Sequence, residues 1–280
     1  MDRFALAYDR LFTERRKALL EHGIVYLSAI GFVLHLALIF LARTLPHPPQ
    51  WLAGLGDNYL SALYTPFSFI LFYEVLLLIF AVPESTTRSI GKQYEIVSLI
   101  FLRGVFKHIA EIGDVSSFRQ LSPETMEIVA DMLGGLFMFG LVTLFRHFSR
   151  RKSNFDLSLE TSGALRRFIA EKKAIALMLC VLFIGLSTTS LDLKTIFYTN
   201  LFTVMIFTDV LILILSMLVS DRYELVFRNA AFVVSTILIR ASLTAASPYN
   251  VAMAIGAMIF GILTLQVYNY HSRIRAAEGL

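Results

Sequence analysis

Four charged residues, Glu74, Arg103, Asp209 and Arg240, lie inside long apolar stretches of this chain. An ionised side chain in a hydrocarbon layer is costly unless it is paired or hydrated, so such residues mark ion routes, gates or clamps between helices. Glu74 and Arg103 fall at similar depths in successive stretches, and Asp209 and Arg240 repeat the arrangement. One acid–arginine pair is therefore expected in each place, acting either as a gating charge or as a structural clamp. Glu95 lies near the inner end of the third stretch, beside Lys92 and Gln93. Glu124, Glu127 and Asp131 are three and four residues apart and share one helix face. That face descends about 10 Å by helical rise. With Asp57, Glu111 and Asp114 close in the topology, it forms an acidic mouth that would concentrate cations. The plainer reading of Glu124 and Glu127 is a solvated helix start, where the helix dipole favours acids. The candidate ion-pathway or gating set is thus Glu74, Glu95, Arg103, Asp131, Asp209 and Arg240, with Glu124 and Glu127 on an outer acidic face.

Other chemistry is poorly supplied. His35 is alone in the middle of the first apolar stretch, where a histidine serves as a hydrogen-bonded packing residue or a proton relay. A haem would need a second histidine at matched depth, but His147 and His271 lie too near the inner ends and His108 too far outward. Cys180 is the single cysteine, so there is no intrachain disulfide and no cysteine metal cluster. No nucleophile–histidine–acid set, phosphate loop or metal-ligand spacing occurs. Neither an enzyme nor a cofactor is expected.

The elements that hold these charges follow from composition. Of 280 residues, 56% are hydrophobic and 16% charged, with a mean hydropathy of +0.68. A soluble domain carries less apolar and more charged residue. Eight apolar runs are read at 22–43, 60–82, 93–112, 125–147, 174–191, 197–219, 226–245 and 250–271, each near the length that crosses a bilayer. Segments in lipid must satisfy their own backbone, so these runs are helices. The predicted fold is all-α and polytopic, with eight transmembrane helices. No segment reads as a cleavable signal. Lysine and arginine fix the orientation. Only Arg43, Lys107, Arg119 and Lys194 fall on the side opposite the N-terminus, which places both termini in the cytoplasm of a cell-membrane protein. The net charge of +4 then reports the cytoplasmic face, not nucleic acid.

The eight helices form two copies of four. Leu63-Tyr64-Thr65, Phe72-Tyr73-Glu74-Val75-Leu76 and Ile96-Val97-Ser98-Leu99-Ile100 with Arg103 match Phe197-Tyr198-Thr199, Phe207-Thr208-Asp209-Val210-Leu211 and Val233-Val234-Ser235-Thr236-Ile237 with Arg240. Met138 to Leu144 match Ile259 to Leu265 more loosely. An even number of helices per copy keeps both copies parallel. The expected organisation is an amphipathic interfacial helix at 1–21, repeat one at 22–148, a basic linker at 149–173 containing a short helix from Ala164 to Lys173, repeat two at 174–272 and a tail at 273–280. Phe4, Tyr8, Leu11 and Phe12 make the apolar side of the first segment. Ala254, Ala257 and Gly261 form a small-residue stripe for close helix packing.

Residues Phe72 to Pro83, followed by Tyr94-Glu95-Ile96-Val97, resemble the second and third helices of voltage-sensor modules in cation channels. Glu74, Pro83 and Glu95 stand at that family's second-helix acid, following proline and third-helix acid. The resemblance implies a duplicated four-helix module concerned with cations. The chain departs from the family in lacking an arginine ladder in its fourth and eighth spans and a pore sequence after either copy. Without mobile arginines, a membrane field has little charge to act on.

The expected function is conduction or transport of ions, cations above all, through or between the two bundles. The alternative is a non-conducting sensor or assembly subunit whose basic inner face docks a cytoplasmic partner or anionic lipid. The expected partners are the bilayer, anionic headgroups at the inner face and small inorganic ions. A homo-oligomer is left open.

Overall fold

The computed structural model describes residues 2–47, 49, 52, 58–112, 123–150, 163–189, 196–219 and 222–278. Its helices are α1 Asp2–Leu11, α2 Glu14–Thr44, α3 Tyr64–Ala81 (preceded by a 3-10 turn at Tyr59–Leu63), α4 Thr86–Ile112, α5 Pro123–Ser149, α6 Gly163–Thr189, α7 Ile196–Met217, α8 Tyr223–Ser242 and α9 Tyr249–Glu278. No strand occurs among the described residues. Segments Glu14–Thr44, Tyr59–Ala81, Thr125–Ser149, Thr199–Met217, Tyr223–Ser242 and Tyr249–Ile274 are long and apolar enough to cross a membrane. Helices α4 and α6 cover the other two predicted spans but carry more charge: Lys92, Glu95, Arg103 and Lys107 along α4, and Arg166, Arg167, Glu171, Lys172 and Lys173 in α6. The chain is a helical, multi-pass membrane protein.

The distribution of side chains fits that solvent. Leu136, Val181 and Phe207 are each about two-thirds exposed, as are residues on nearly every turn of α2. Apolar surface on this scale suits lipid, not water. Conversely Glu74, Asp131, Asp209 and Arg240 are buried. Hydroxyl groups within the helices return to their own backbone: Ser28 donates to the Ile24 carbonyl at 2.7 Å, Thr208 to Val204 at 2.9 Å and Thr264 to Phe260 at 2.9 Å. That bonding lets a polar side chain sit in an apolar helix without a neighbour.

Two differences from the sequence expectation concern the ends of helices. Residues 1–21 divide at Phe12–Thr13 into α1 and the first turns of α2, with Thr13 in an extended conformation before Glu14. The basic helix expected at Ala164 to Lys173 is not separate. It is the first part of α6, because no Gly, Pro or capping residue interrupts the run from Ala164 to Ile184. Helix α3 stops at Ala81, two residues before Pro83, whose ring cannot continue a helix.

The chain forms two compact units. One comprises residues 1–11, 78–97 and 137–280 and contains α1, α6, α7, α8 and α9 whole. The other comprises residues 12–77 and 98–136, holding α2 and the parts of α3, α4 and α5 within those bounds. In the larger unit α8 packs on α9 and α7, α6 packs on α7, and α1 lies on α6.

Candidate functional site

The smaller unit holds a set of charges around one stretch of α4. Helices α4 and α5 run antiparallel, so residues four apart on one meet residues four apart on the other. Gly104 faces Asp131 and His108 faces Glu127. A methyl group at position 104 would stand 2.5 Å from Asp131 Oδ2, so only glycine gives that carboxylate room. Leu102 also approaches Gly135, its backbone nitrogen 3.1 Å from where a Cβ would be. These two glycines let the helices approach at the depth where the charges sit.

His108 lies between two carboxylates. Its Nδ1 is 3.3 Å from Asp131 Oδ2 and its Nε2 is 3.6 Å from Glu127 Oε2. Side-chain exposure falls from 39% at Glu127 to 16% at His108 and 4% at Asp131, so the three form a line leading inward. On the α3 side of α4, Arg103 Nη2 pairs with Glu74 Oε1, both side chains being largely buried. Phe67 stacks on Phe106 in the same antiparallel register, with ring centroids 4.4 Å apart. The segment Arg103–Gly104 is thus bracketed by two buried acids, Glu74 from α3 and Asp131 from α5. Among the described residues neither Glu74 Oε2 nor Asp131 Oδ1 has a hydrogen-bond partner. A buried carboxylate oxygen left in that state loses its hydration without replacement. His35 is elsewhere in this unit, its Nδ1 2.5 Å from Thr65 Oγ1.

The larger unit treats its charges differently. Arg240 holds Asp209 with two hydrogen bonds, Nε to Oδ2 at 2.8 Å and Nη2 to Oδ1 at 3.2 Å. Nη2 also donates to Gln93 Oε1 at 3.2 Å, and Nη1 lies 3.0 Å from Met205 Sδ. This fork satisfies both carboxylate oxygens and ties α4, α7 and α8 together. Nearby along α4, Tyr94 Oη is 2.6 Å from Ser235 Oγ, which donates to the Ala257 carbonyl at 2.7 Å. Glu95 pairs with Arg146 of α5, Nε to Oε1 at 2.7 Å, and this pair is partly exposed.

Lys172 of α6 precedes the predicted span at 174–191 and is buried. Its ammonium donates to the Glu84 carbonyl. Burial pushes its pKa down from 10.5 to about 8, against the opposing pull of Asp209 and Glu84.

The predicted residues therefore fall into three groups. Glu74, Arg103, Asp131 and Glu127 gather in the smaller unit, and Asp209 and Arg240 form a pair in the larger one. Glu95 stands apart with Arg146. Glu124 lies in the first turn of α5 with its side chain outside the described residues, as are Asp57, Asp114 and the side chain of Glu111. Sequence reasoning set His108 aside for its depth, took no notice of Gly104 or Lys172, and named Gln93 only as a neighbour of Glu95. A signal for the first two was present: 104 and 108 are one helical turn apart, as are 127 and 131, on helices that must run in opposite directions. Among the described residues no group of His, Cys, Asp and Glu suits a metal ion.

Compared with protein-family models, curated proteins and solved structures, the chain matches none.

Proposed function

We propose that this chain conducts or transports small cations across the cell membrane, with both termini cytoplasmic and eight spans arranged as two parallel four-helix repeats. The carrying observation is the pair of buried acids beside Arg103–Gly104, each with an oxygen that has no hydrogen-bond partner among the described residues. A carboxylate that serves only to lock helices is saturated by its partner, as Asp209 is by Arg240. Glu74 and Asp131 keep unsaturated oxygens at a depth where that is expensive, which is the condition of groups that meet ions or protons. Glu127 supplies negative charge at the less buried end of the same line and draws cations toward it. On this reading Arg103 tempers the charge of Glu74, and Asp209–Arg240 is the clamp that holds the other unit in register. The voltage-sensor likeness around Glu74 and Glu95 points to the same class of cargo.

The test is reconstitution of the purified protein in liposomes with imposed K+, Na+ and H+ gradients. Wild type is expected to carry at least one of these above protein-free liposomes, and Asp131→Asn to reduce the rate by about tenfold or more. Equal rates with and without the protein, at every gradient and potential, would remove the reading.

A second reading is favoured by the inner surface. Helix α1 lies on α6 with Tyr8 buried, and an ion pair joins the two helices, Lys173 Nζ being 2.7 Å from Asp9 Oδ2. Arg166 and Arg167 of α6 remain exposed beside it. A non-conducting subunit would use that basic face to hold anionic headgroups or an acidic cytoplasmic protein. Replacing both arginines by alanine would then abolish recovery of that partner.

A further inference from the structure

The arrangement of His108 between Glu127 and Asp131 narrows the cargo. We infer that the species carried is the proton, handed from Glu127 through His108 to Asp131; this rests on the ion-carrying reading above. Three features support it. First, each imidazole nitrogen faces a different carboxylate, Nε2 toward Glu127 at 3.6 Å and Nδ1 toward Asp131 at 3.3 Å. A histidine so placed can accept on one nitrogen and release from the other. Second, exposure falls steadily along the three side chains, so the line joins a wetter end to a drier one. Third, Asp131 is 3% exposed and its Oδ1 has no hydrogen-bond partner among the described residues, leaving that oxygen able to carry a proton onward. Both gaps are longer than the usual N–H···O distance, so the ring is held near both acids without a tight bond to either.

The step balances without any other reactant. Glu127, protonated from the wetter end, gives its carboxylic proton to Nε2 of a neutral His108 that carries its own proton on Nδ1. The imidazolium then releases the Nδ1 proton to the Asp131 carboxylate. Glu127 is left as carboxylate, Asp131 as carboxylic acid and His108 as the other neutral tautomer. Proton exchange with water, which loads Nδ1 as it unloads Nε2, restores the starting tautomer for the next transfer. Glu127 and Asp131 of α5 both face His108. The Arg103–Glu74 pair lies a little over one turn away along α4. Among the described residues no group of three or more His, Cys, Asp or Glu side chains could hold a metal ion.

The experiment uses the full chain in liposomes loaded with a pH-sensitive dye, with K+ and Na+ movement followed in parallel. Wild type should acidify or alkalinise the lumen according to the proton gradient. His108→Gln should slow this by about a hundredfold, the lower end of the range for loss of a proton-transferring side chain. Glu127→Gln should slow it also, while His22→Gln, an exposed histidine whose Nδ1 meets the Ala18 carbonyl, should match wild type. Should His108→Gln fail to elute as a folded species, Glu127→Gln carries the test, since that side chain is the most exposed of the three. Equal proton rates in wild type and in whichever of these two variants folds would overturn the relay. K+ or Na+ movement without any pH change would overturn the proton assignment and leave the cation reading standing. No flux of any ion by wild type would remove both.

Discussion

Arg240 and Asp209 form a bidentate pair in which the arginine is 1% exposed, and the same guanidinium reaches Gln93 on a third helix. Removing one member leaves the other as an uncompensated buried charge, which costs roughly 3–5 kcal/mol. Asp209→Leu and Arg240→Leu should each lower the melting temperature in detergent strongly. The double replacement should cost less than either single change, because it removes both charges at once. A double mutant whose loss equals the sum of the two singles would show that the pair is not coupled.

Gly261 makes room for Tyr94. A Cβ at 261 would overlap Tyr94 Oη and lie 3.2 Å from Ser235 Oγ, so Gly261→Ala forces three packed helices apart. Overpacking of this kind costs about 1–3 kcal/mol. Much of the penalty should disappear in a Tyr94→Phe background, which deletes the hydroxyl that the new methyl meets. Thermal unfolding of the two singles and the double measures this, and identical penalties in both backgrounds would contradict it.

Gly104→Ala places a methyl 2.5 Å from Asp131 Oδ2. The carboxylate must swing away from His108, so transport should fall several-fold while the protein remains folded, judged by size exclusion and by a melting temperature lowered only modestly. Gly23→Ala is the control, since nothing lies within 4 Å of the added carbon. Transport by Gly104→Ala at the wild-type rate would mean that the Asp131–His108 approach is unimportant.

Lys172 gives a pH signature. Its pKa is lower in the folded chain, about 8 against 10.5, so folding disfavours the charged form. Between those values the unfolded chain binds a proton that the folded chain has released, and stability therefore rises with pH across that window. The gain is of the order of 3 kcal/mol when complete. Lys172→Met cannot titrate, so the difference in melting temperature between it and wild type should shift in favour of wild type from pH 8 to pH 10.5. A difference that stays constant over that range would show that Lys172 does not change its protonation on folding.

Much of the scaffold was legible because the bilayer imposes a simple rule, namely about twenty apolar residues per helix with the backbone satisfied inside it. The acid–arginine spacings were legible through the matching stretches around Glu74 and Asp209. His108 was not, because depth was judged one residue at a time. Its role depends on the antiparallel register of α4 and α5, which a loop of undetermined length leaves open. Lys172 looked like one more cation of a basic linker, since nothing local signals that the start of α6 is buried. The Tyr94–Ser235 contact joins residues 141 apart, and no periodicity encodes such a meeting. The sharp division of labour between a saturated Asp209 and an unsaturated Asp131 likewise needed coordinates. By sequence each is an acid inside an apolar helix.

The central claim is that Asp131 stands on a water-connected ion route. It is tested most directly by replacing Asp131 with cysteine, with Cys180→Ala removing the chain's other thiol, and labelling the reconstituted protein with membrane-impermeant thiol reagents. A cationic reagent is predicted to modify position 131 about tenfold faster than an anionic one of similar size, because Glu127 remains nearby while Glu74 is neutralised by Arg103. A folded protein in which no water-borne reagent of either sign reaches position 131 from either side would contradict the account.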